Sequence, residues 1–235
     1  MRQWISLSCV LALVAILISG ASTQVTAQSG GSIVGEVKFS GTPPAPKVLK
    51  VNKDNEVCGE DKKSEELIVG ANKGIKNAVV SVVDGAGSAP KPAQKPALDQ
   101  KGCQFVPHVL LAPASGEVDI LNSDGVLHNL HTFSTANPSF NKAQPKFKKV
   151  LTEKFDKPEI VRVQCDAHNW MSSWIVVQAH PHYAVTDESG SFKLDNVPAG
   201  KHKLEIWHEV LGKMTQEVEV KAGAPTKVTF ELAKK

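Results

Sequence analysis

Short apolar runs alternate with polar residues along most of this chain, and turn residues separate them. They include "SIVGEVKFS", "VLKVN", "ELIVG", "NAVVSVVDG", "FVPHVLLA", "GEVDILN", "EIVRVQC", "WIVVQA", "KLEIWHEV" and "TQEVEVKAG". In the last of these, Val218 and Val220 alternate with Glu217 and Glu219. That period of two suits a strand with one buried face. No stretch sustains the 3.6-residue period of an amphipathic helix. The pattern therefore predicts an all-β protein built of sandwiches.

Three segments interrupt it. Residues 85–102, "GAGSAPKPAQKPALDQKG", are rich in Pro, Ala, Gly and Lys and read as an exposed, semi-extended linker. Residues 134–156 are long and lysine-rich and carry no usual strand signal. A junction lies at "AHPHYAVTDESG", where Pro181 ends one strand and a turn soon follows.

The chain begins with a single charge, Arg2, then an apolar run from Trp4 to Ile18, then small residues ending at Ala27. This is the pattern of a secretory leader, residues 1–27. The run is shorter than the roughly 20 residues a membrane span needs. No later stretch is apolar enough to cross a bilayer. Losing Arg2 lowers the net charge from +3 to +2, which gives no argument for nucleic acid. Export implies an oxidising compartment, and three cysteines remain: Cys58, Cys103 and Cys165. An odd count leaves one over. Cys58 and Cys103 have no metal-ligating neighbour at useful spacing, and we expect them to be bridged. Cys165 stands apart in "CDAHNWM".

That loop places Cys165, His168 and Met171 within seven residues, as C-x2-H-x2-M, between the strands "PEIVRVQ" and "SSWIVVQA". Thiolate and thioether are soft ligands, and two imidazoles with a thiolate and a weak thioether suit a copper site of the electron-transfer type. Zinc has little use for a thioether. The remaining imidazole must come from a distant segment, and "GEVDILNSDGVLHNLHTF" offers His128 after a strand and a polar turn. His131, three residues on, falls on the opposite face of a strand and is read as a non-ligand. His108 in "FVPHV" is read as structural, with a role behind the ligands left open. His180 and His182 lack a clear third partner for a second metal site.

The order "FVPHVLL", "GEVDILNSD", "LHNLHTF" and then C-x2-H-x2-M resembles the cupredoxins, the small blue copper proteins, and most closely their short-loop, amicyanin-like members. The likeness covers roughly residues 102–179. It implies a Greek-key β-sandwich and one mononuclear copper on His128, Cys165, His168 and Met171. It also implies that the Asn129 amide tethers the ligand loop, and that His168, near the loop tip, is the electron exit. Ala167 and Asn169 stand where related loops often carry Pro.

From Tyr183 onward, "AVTDESGSFKLDNVPAGKHKLEIWHE" resembles the carboxypeptidase regulatory-like domains, small transthyretin-type (prealbumin-like) sandwiches. Gly190 and Gly200 would supply positive φ at its turns. "GSIVGEVKFSG" and "KNAVVSVVD" resemble the first strands of the same module, which would then be split around the copper segment. Trp207, His208 and Glu209 are read as a strand-end core Trp with polar neighbours. The resulting division is 1–27 leader, 28–95 N-terminal β segment, 96–180 copper domain and 181–235 C-terminal β module.

The resemblances imply an exported, periplasmic or extracellular electron carrier with a redox protein as partner. The six lysines at 142, 146, 148, 149, 154 and 157 could steer an acidic one. A copper-carrying or buffering protein, or an envelope binding module without electron transfer, are the alternatives. No nucleophilic triad, carboxylate pair or phosphate loop marks an enzyme.

Overall fold

The computed structural model describes residues 30–85, 87–88 and 92–234. The leader expected at 1–27 lies outside them. The described residues open with β1 (Gly31–Phe39), a small hairpin of β2 (Val48–Leu49) and β3 (Lys62–Lys63) around one helical turn, α1 (Asn55–Cys58), and then β4 (Val79–Val82). Next come β5 (Ala97–Gln100), β6 (Phe105–Val106), β7 (Val109–Pro113), β8 (Gly116–Asn122), β9 (His128–Phe133) and β10 (Asn141–Gln144). They are followed by β11 (Val150–Phe155), β12 (Glu159–Gln164) and β13 (Ser172–Gln178). The last strands are β14 (Tyr183–Val185), β15 (Ser191–Val197), β16 (Gly200–His208), β17 (Gly212–Val220) and β18 (Pro225–Leu232). The fold is all-β.

The larger sheets form four layers. The first, β11-β8-β5-β6, and the second, β10-β9-β12-β13-β7, enclose one apolar core. Ile120 and Phe155 reach into it from one side, Val163 and Ile175 from the other. The third, β14-β4-β16-β17, and the fourth, β15-β1-β18, enclose a second core that includes Ile33, Val80, Ile206 and Phe230. Alternation along β8 and β16 buries every second residue, as a strand with one core face must. β4 departs from this, since all four of its residues are buried. Its outer face meets the second layer, where Val79 packs with Val109 and Val176 beside Trp174 and Trp207.

Strands from both chain ends build the third and fourth layers. β1 pairs antiparallel with β15 and parallel with β18, and β4 pairs with β14 and β16. Gly190 (φ 78°) and Gly200 (φ 134°) turn the chain between those late strands.

Three local expectations change. β5 lies inside the expected linker. Only Leu98 marks it as apolar, yet parallel pairing with β8 buries both Leu98 and Gln100. β10 and β11 lie inside the segment read as strandless. β10 is an edge strand of polar residues paired to β9, and across to β11 Lys142 bonds both carboxylate oxygens of Glu153, at 2.7 and 2.9 Å. "ELIVG" forms no extended strand, because the chain reverses at once, leaving a single bridge from Val69 to Ile75.

The junction between the second and third layers is also polar. His108 Nε2 bonds one carboxylate oxygen of Glu209, and the other accepts the Trp174 indole N–H at 2.9 Å. Trp174 and Trp207 meet edge to face with centroids 5.0 Å apart. His208 is buried beside them. Burial, aided by the nearby His108 and opposed by Glu209, pushes its pKa from the ordinary 6.5 down to about 4.

Below about pH 6.5 the unfolded chain protonates His208, whereas the folded chain resists until about pH 4. Stability from this group is complete above pH 6.5 and falls as pH drops toward 4, by about 3 kcal/mol. Denaturant titrations across that range measure the slope. His208→Asn keeps an acceptor for the Val210 amide and is expected to flatten it.

Candidate metal centre

Cys165, His168 and Met171 lie on the connection from β12 to β13, whose ladder closes at Gln164 and Ser172. The connection is held by its own backbone. The Met171 amide donates to the His168 carbonyl at 2.9 Å, and the Cys165 amide donates to the Met171 carbonyl at 3.2 Å. His128 is the first residue of β9. The turn before it is built by Asn122, whose Nδ2 donates to the Val126 and Gln144 carbonyls and whose Oδ1 accepts the Asp124 amide. Two chain segments, 37 residues apart at their cysteine and first histidine, are thereby delivered to one end of the sandwich.

There the Cys165 Sγ lies 3.9 Å from His128 Nδ1 and 3.8 Å from His168 Nδ1. The imidazole centroids are 4.7 Å apart, tilted by 58°. All three side chains are fully buried. A metal about 2.0–2.1 Å from nitrogen and about 2.3 Å from sulfur, in a trigonal plane, requires N···S separations of about 3.8 Å. Both N···S separations therefore match those that a soft or borderline ion needs. Met171 is buried, and its backbone closes the loop.

The other nitrogen of each imidazole is held by a carboxylate. His128 Nε2 bonds Asp124 Oδ2, and His168 Nε2 bonds Asp54 Oδ2, both at 2.9 Å. Each bond leaves Nδ1 turned toward the thiol. Asp124 is fixed in turn by the Gly102 and Cys103 amides at 2.7 and 2.8 Å. Burial opposes charge on His128, but Asp124 and the Cys165 thiol outweigh it and raise its pKa to about 9. Burial, the largest effect, also raises Asp124, but its bonds to His128 and the two amides bring it below the usual carboxylate range. Burial lowers the pKa of His168 despite Asp54. Neither aspartate is among the site residues expected from the sequence. Asp124 is visible there as an acidic residue four before His128, whereas nothing in the sequence ties Asp54 to His168.

Asn129 Oδ1 accepts the Asp166 and Ala167 amides at 2.7 and 3.0 Å and lies 3.3 Å from the Cys165 Sγ. Its Nδ2 donates to Asn141, which donates to Asp166. His131 bonds Asp166 at the surface of the same network and reaches none of the three donor atoms. His108 bonds Glu209 at the layer junction, and it shares a shallow cleft with Trp170 and Met171.

Cys58 and Cys103 are joined by a disulfide that ties α1 to the turn between β5 and β6. Both sulfurs lie close to His168, and Cys103 also to Asp124 and His128, but bonded sulfurs offer no thiolate. The bridge and Asp54 together change one expectation. His168 is 0 % exposed, and its outer edge is covered by Asp54, so it presents no imidazole edge for electron exit.

Removing the Asn129 acceptor leaves two loop amides without a partner. Asn129→Ala is expected to cost about 2 kcal/mol and to speed hydrogen exchange at the Asp166 and Ala167 amides by at least about tenfold. Exchange rates resolved by NMR on the metal-free protein check this.

No protein-family profile matches the chain, and no curated protein is similar to it in sequence. Several solved structures resemble part of it. A Cu-containing nitrite reductase (NirK) from Thermus scotoductus SA-01 aligns at 21% identity over 41% of this chain and 25% of its own, with a TM-score of 0.34. This chain thus spans about a quarter of that enzyme. A methionine-to-alanine mutant of amicyanin, in its Cu(I) form, aligns at 14% identity over 42% of this chain and 98% of its own, TM-score 0.33. A proline-to-alanine mutant of amicyanin in its oxidised state aligns at 15% identity over the same shares, TM-score 0.34. These neighbours are cupredoxins. Among the described residues, no helix is long and apolar enough to cross a membrane.

Proposed function

We propose that this chain is an exported copper protein that carries single electrons to and from a redox protein. His128 and His168 would hold the ion through Nδ1, Cys165 through its thiolate, and Met171 through its thioether. The observation that carries this reading is the pair of N···S distances, 3.9 and 3.8 Å, in a set of buried donors whose opposite nitrogens are already bonded. Copper, when bound, supplies a one-electron couple.

The chain's own groups do the rest. Asp124 and Asp54 keep the imidazoles oriented, so little needs to move when charge at the centre changes. Cys165 gives up its proton on loading, and Asn129 keeps the loop that carries it from opening. The four ligand candidates define one mononuclear site, and no role as an enzyme is assigned. The periplasm or the extracellular space fits both the leader pattern and the disulfide.

We further propose that the chain consists of two units. Residues 96–180 form the copper unit. Residues 28–95 and 181–235 form a regulatory-like, transthyretin-type module split around it, with a structural or binding role, save that residues 47–64 of the first stretch pack on the copper unit's core. The pairing of β1 with β15 and β18, and of β4 with β14 and β16, supports that division.

Adding Cu(II) to the purified protein is expected to give one equivalent of bound copper and an intense visible thiolate-to-copper band. Cys165→Ser should abolish the band, and His128→Ala should weaken binding by at least about 100-fold. Absence of the band, or its survival in Cys165→Ser, refutes the site. Voltammetry then separates a carrier, with a fast reversible couple, from a protein that only stores copper.

A further inference from the structure

Residues 47–64 belong to none of the four layers. β2 and β3 pair at Val48–Lys63 and Leu49–Lys62, and the Ser64 amide closes the hairpin on the Lys47 carbonyl. Asp61 accepts the Val51 amide at 3.1 Å, and Asn55 donates to the Val51 carbonyl. The excursion thus has its own internal bonds. It is anchored by burying Val51 and Cys58 in the core of the first two layers.

Asp54 stands at the N-cap of α1, where an aspartate side chain ordinarily accepts an N–H of the first turn. It makes no such bond. Its carboxylate is turned onto His168 Nε2 instead. Its backbone is left-handed, with φ 53°, a conformation that aspartate and asparagine tolerate better than other non-glycine residues. The Asp54 side chain thus forgoes its capping bond and is committed to a buried imidazole far along the chain. Four residues on, Cys58 is bonded to Cys103, whose amide is held by Asp124, the carboxylate of the other imidazole. Trp170 donates to the Cys103 carbonyl at 3.1 Å and stands edge-on to the His168 ring. Neither half of the disulfide is exposed, so the staple is a fixed one.

We propose that this hairpin is a fixed cap over the metal centre, stapled by Cys58–Cys103, in which Asp54 is the positioning residue that holds His168 with Nδ1 facing Cys165. The cap closes the centre to solutes on the His168 side. It rests on the copper reading only for what it encloses, since the closure itself concerns the thiol of Cys165.

The closure can be read without metal. Metal-free protein is treated with iodoacetamide, and labelling of the Cys165 peptide is followed by mass spectrometry. Asp54→Gly suits the positive φ and keeps the disulfide, so it removes the carboxylate alone. It is expected to label at least about tenfold faster than the native chain, and Cys58→Ser/Cys103→Ser faster again. Asp54→Asn tolerates the same backbone and can accept the same N–H, so it should stay within about threefold of native. Histidine 15N NMR should find the Nε2–H tautomer of His168 in the native chain and in Asp54→Asn, and a tautomer mixture in Asp54→Gly. In copper-loaded protein, loss of the ion to excess EDTA should be about 10–100-fold faster in Asp54→Gly. Unchanged labelling and an unchanged tautomer in Asp54→Gly overturn the proposal, even if the double cysteine variant fails to fold. If no copper binds at all, the electron-carrier reading falls, while labelling and tautomer still decide the cap.

Discussion

Each imidazole of the candidate centre is held from behind by a carboxylate, and the arrangement of the site depends on that. A buried histidine with one nitrogen free can rotate or change tautomer. His128 and His168 can do neither without breaking a 2.9 Å bond, to Asp124 in one case and to Asp54 in the other. The two Nδ1 atoms then converge on one sulfur at nearly equal distances. Burying two imidazoles, a thiol and their aspartates is unfavourable in itself. It is offset here because the aspartates are bonded more than once or partly reach water: Asp124 accepts two amides, and Asp54 keeps about a third of its side chain exposed.

Those carboxylates come from outside the loop that carries Cys165 and His168, and that explains several features that otherwise look unrelated. The disulfide joins α1, which follows Asp54, to the turn whose amides hold Asp124. One covalent bond therefore fixes both supporting groups relative to each other. Asn129 does the corresponding work on the thiol side, with a single carbonyl oxygen facing two loop amides and the sulfur. The loop needs few side chains of its own to keep its shape, because its ends are clamped by the β12–β13 ladder and by two backbone bonds inside it.

Much of this was legible in the sequence, and the boundary has a physical basis. Period-two alternation survives wherever a strand has one wet face, so the all-β class and most strands could be read directly. It fails for β5 and β10, where neighbours supply the pairing and half or more of the strand's own side chains are polar. The grouping of Cys165 and His168 was legible because both sit on one tight loop, and His128 because a polar turn precedes it. Asp54 was not, since it stands 114 positions before His168 and is brought to it by the folded disulfide hairpin. The reading of His168 as an electron exit failed for the same reason: loop position suggests exposure, and a distant segment removes it. Glu209 was seen as a strand-end neighbour of Trp207. Its bonds to His108 and Trp174 depend on how two sheets stack, which no local pattern encodes.

That stacking bears on the centre as well. β13 begins at Ser172, directly after Met171, and carries Trp174 two residues later. Trp174 is bonded to Glu209 of the neighbouring layer, and β7, which flanks β13, is preceded by His108, bonded to the same carboxylate. One strand thus leaves the loop of Cys165, His168 and Met171 and is fastened almost at once to the other half of the protein. A site keeps its geometry when its ligands stand on elements that cannot shift independently. The loop here is held at the His168 side by the hairpin and at the Met171 side by the junction, so both cores contribute to the rigidity of a centre that only one of them contains.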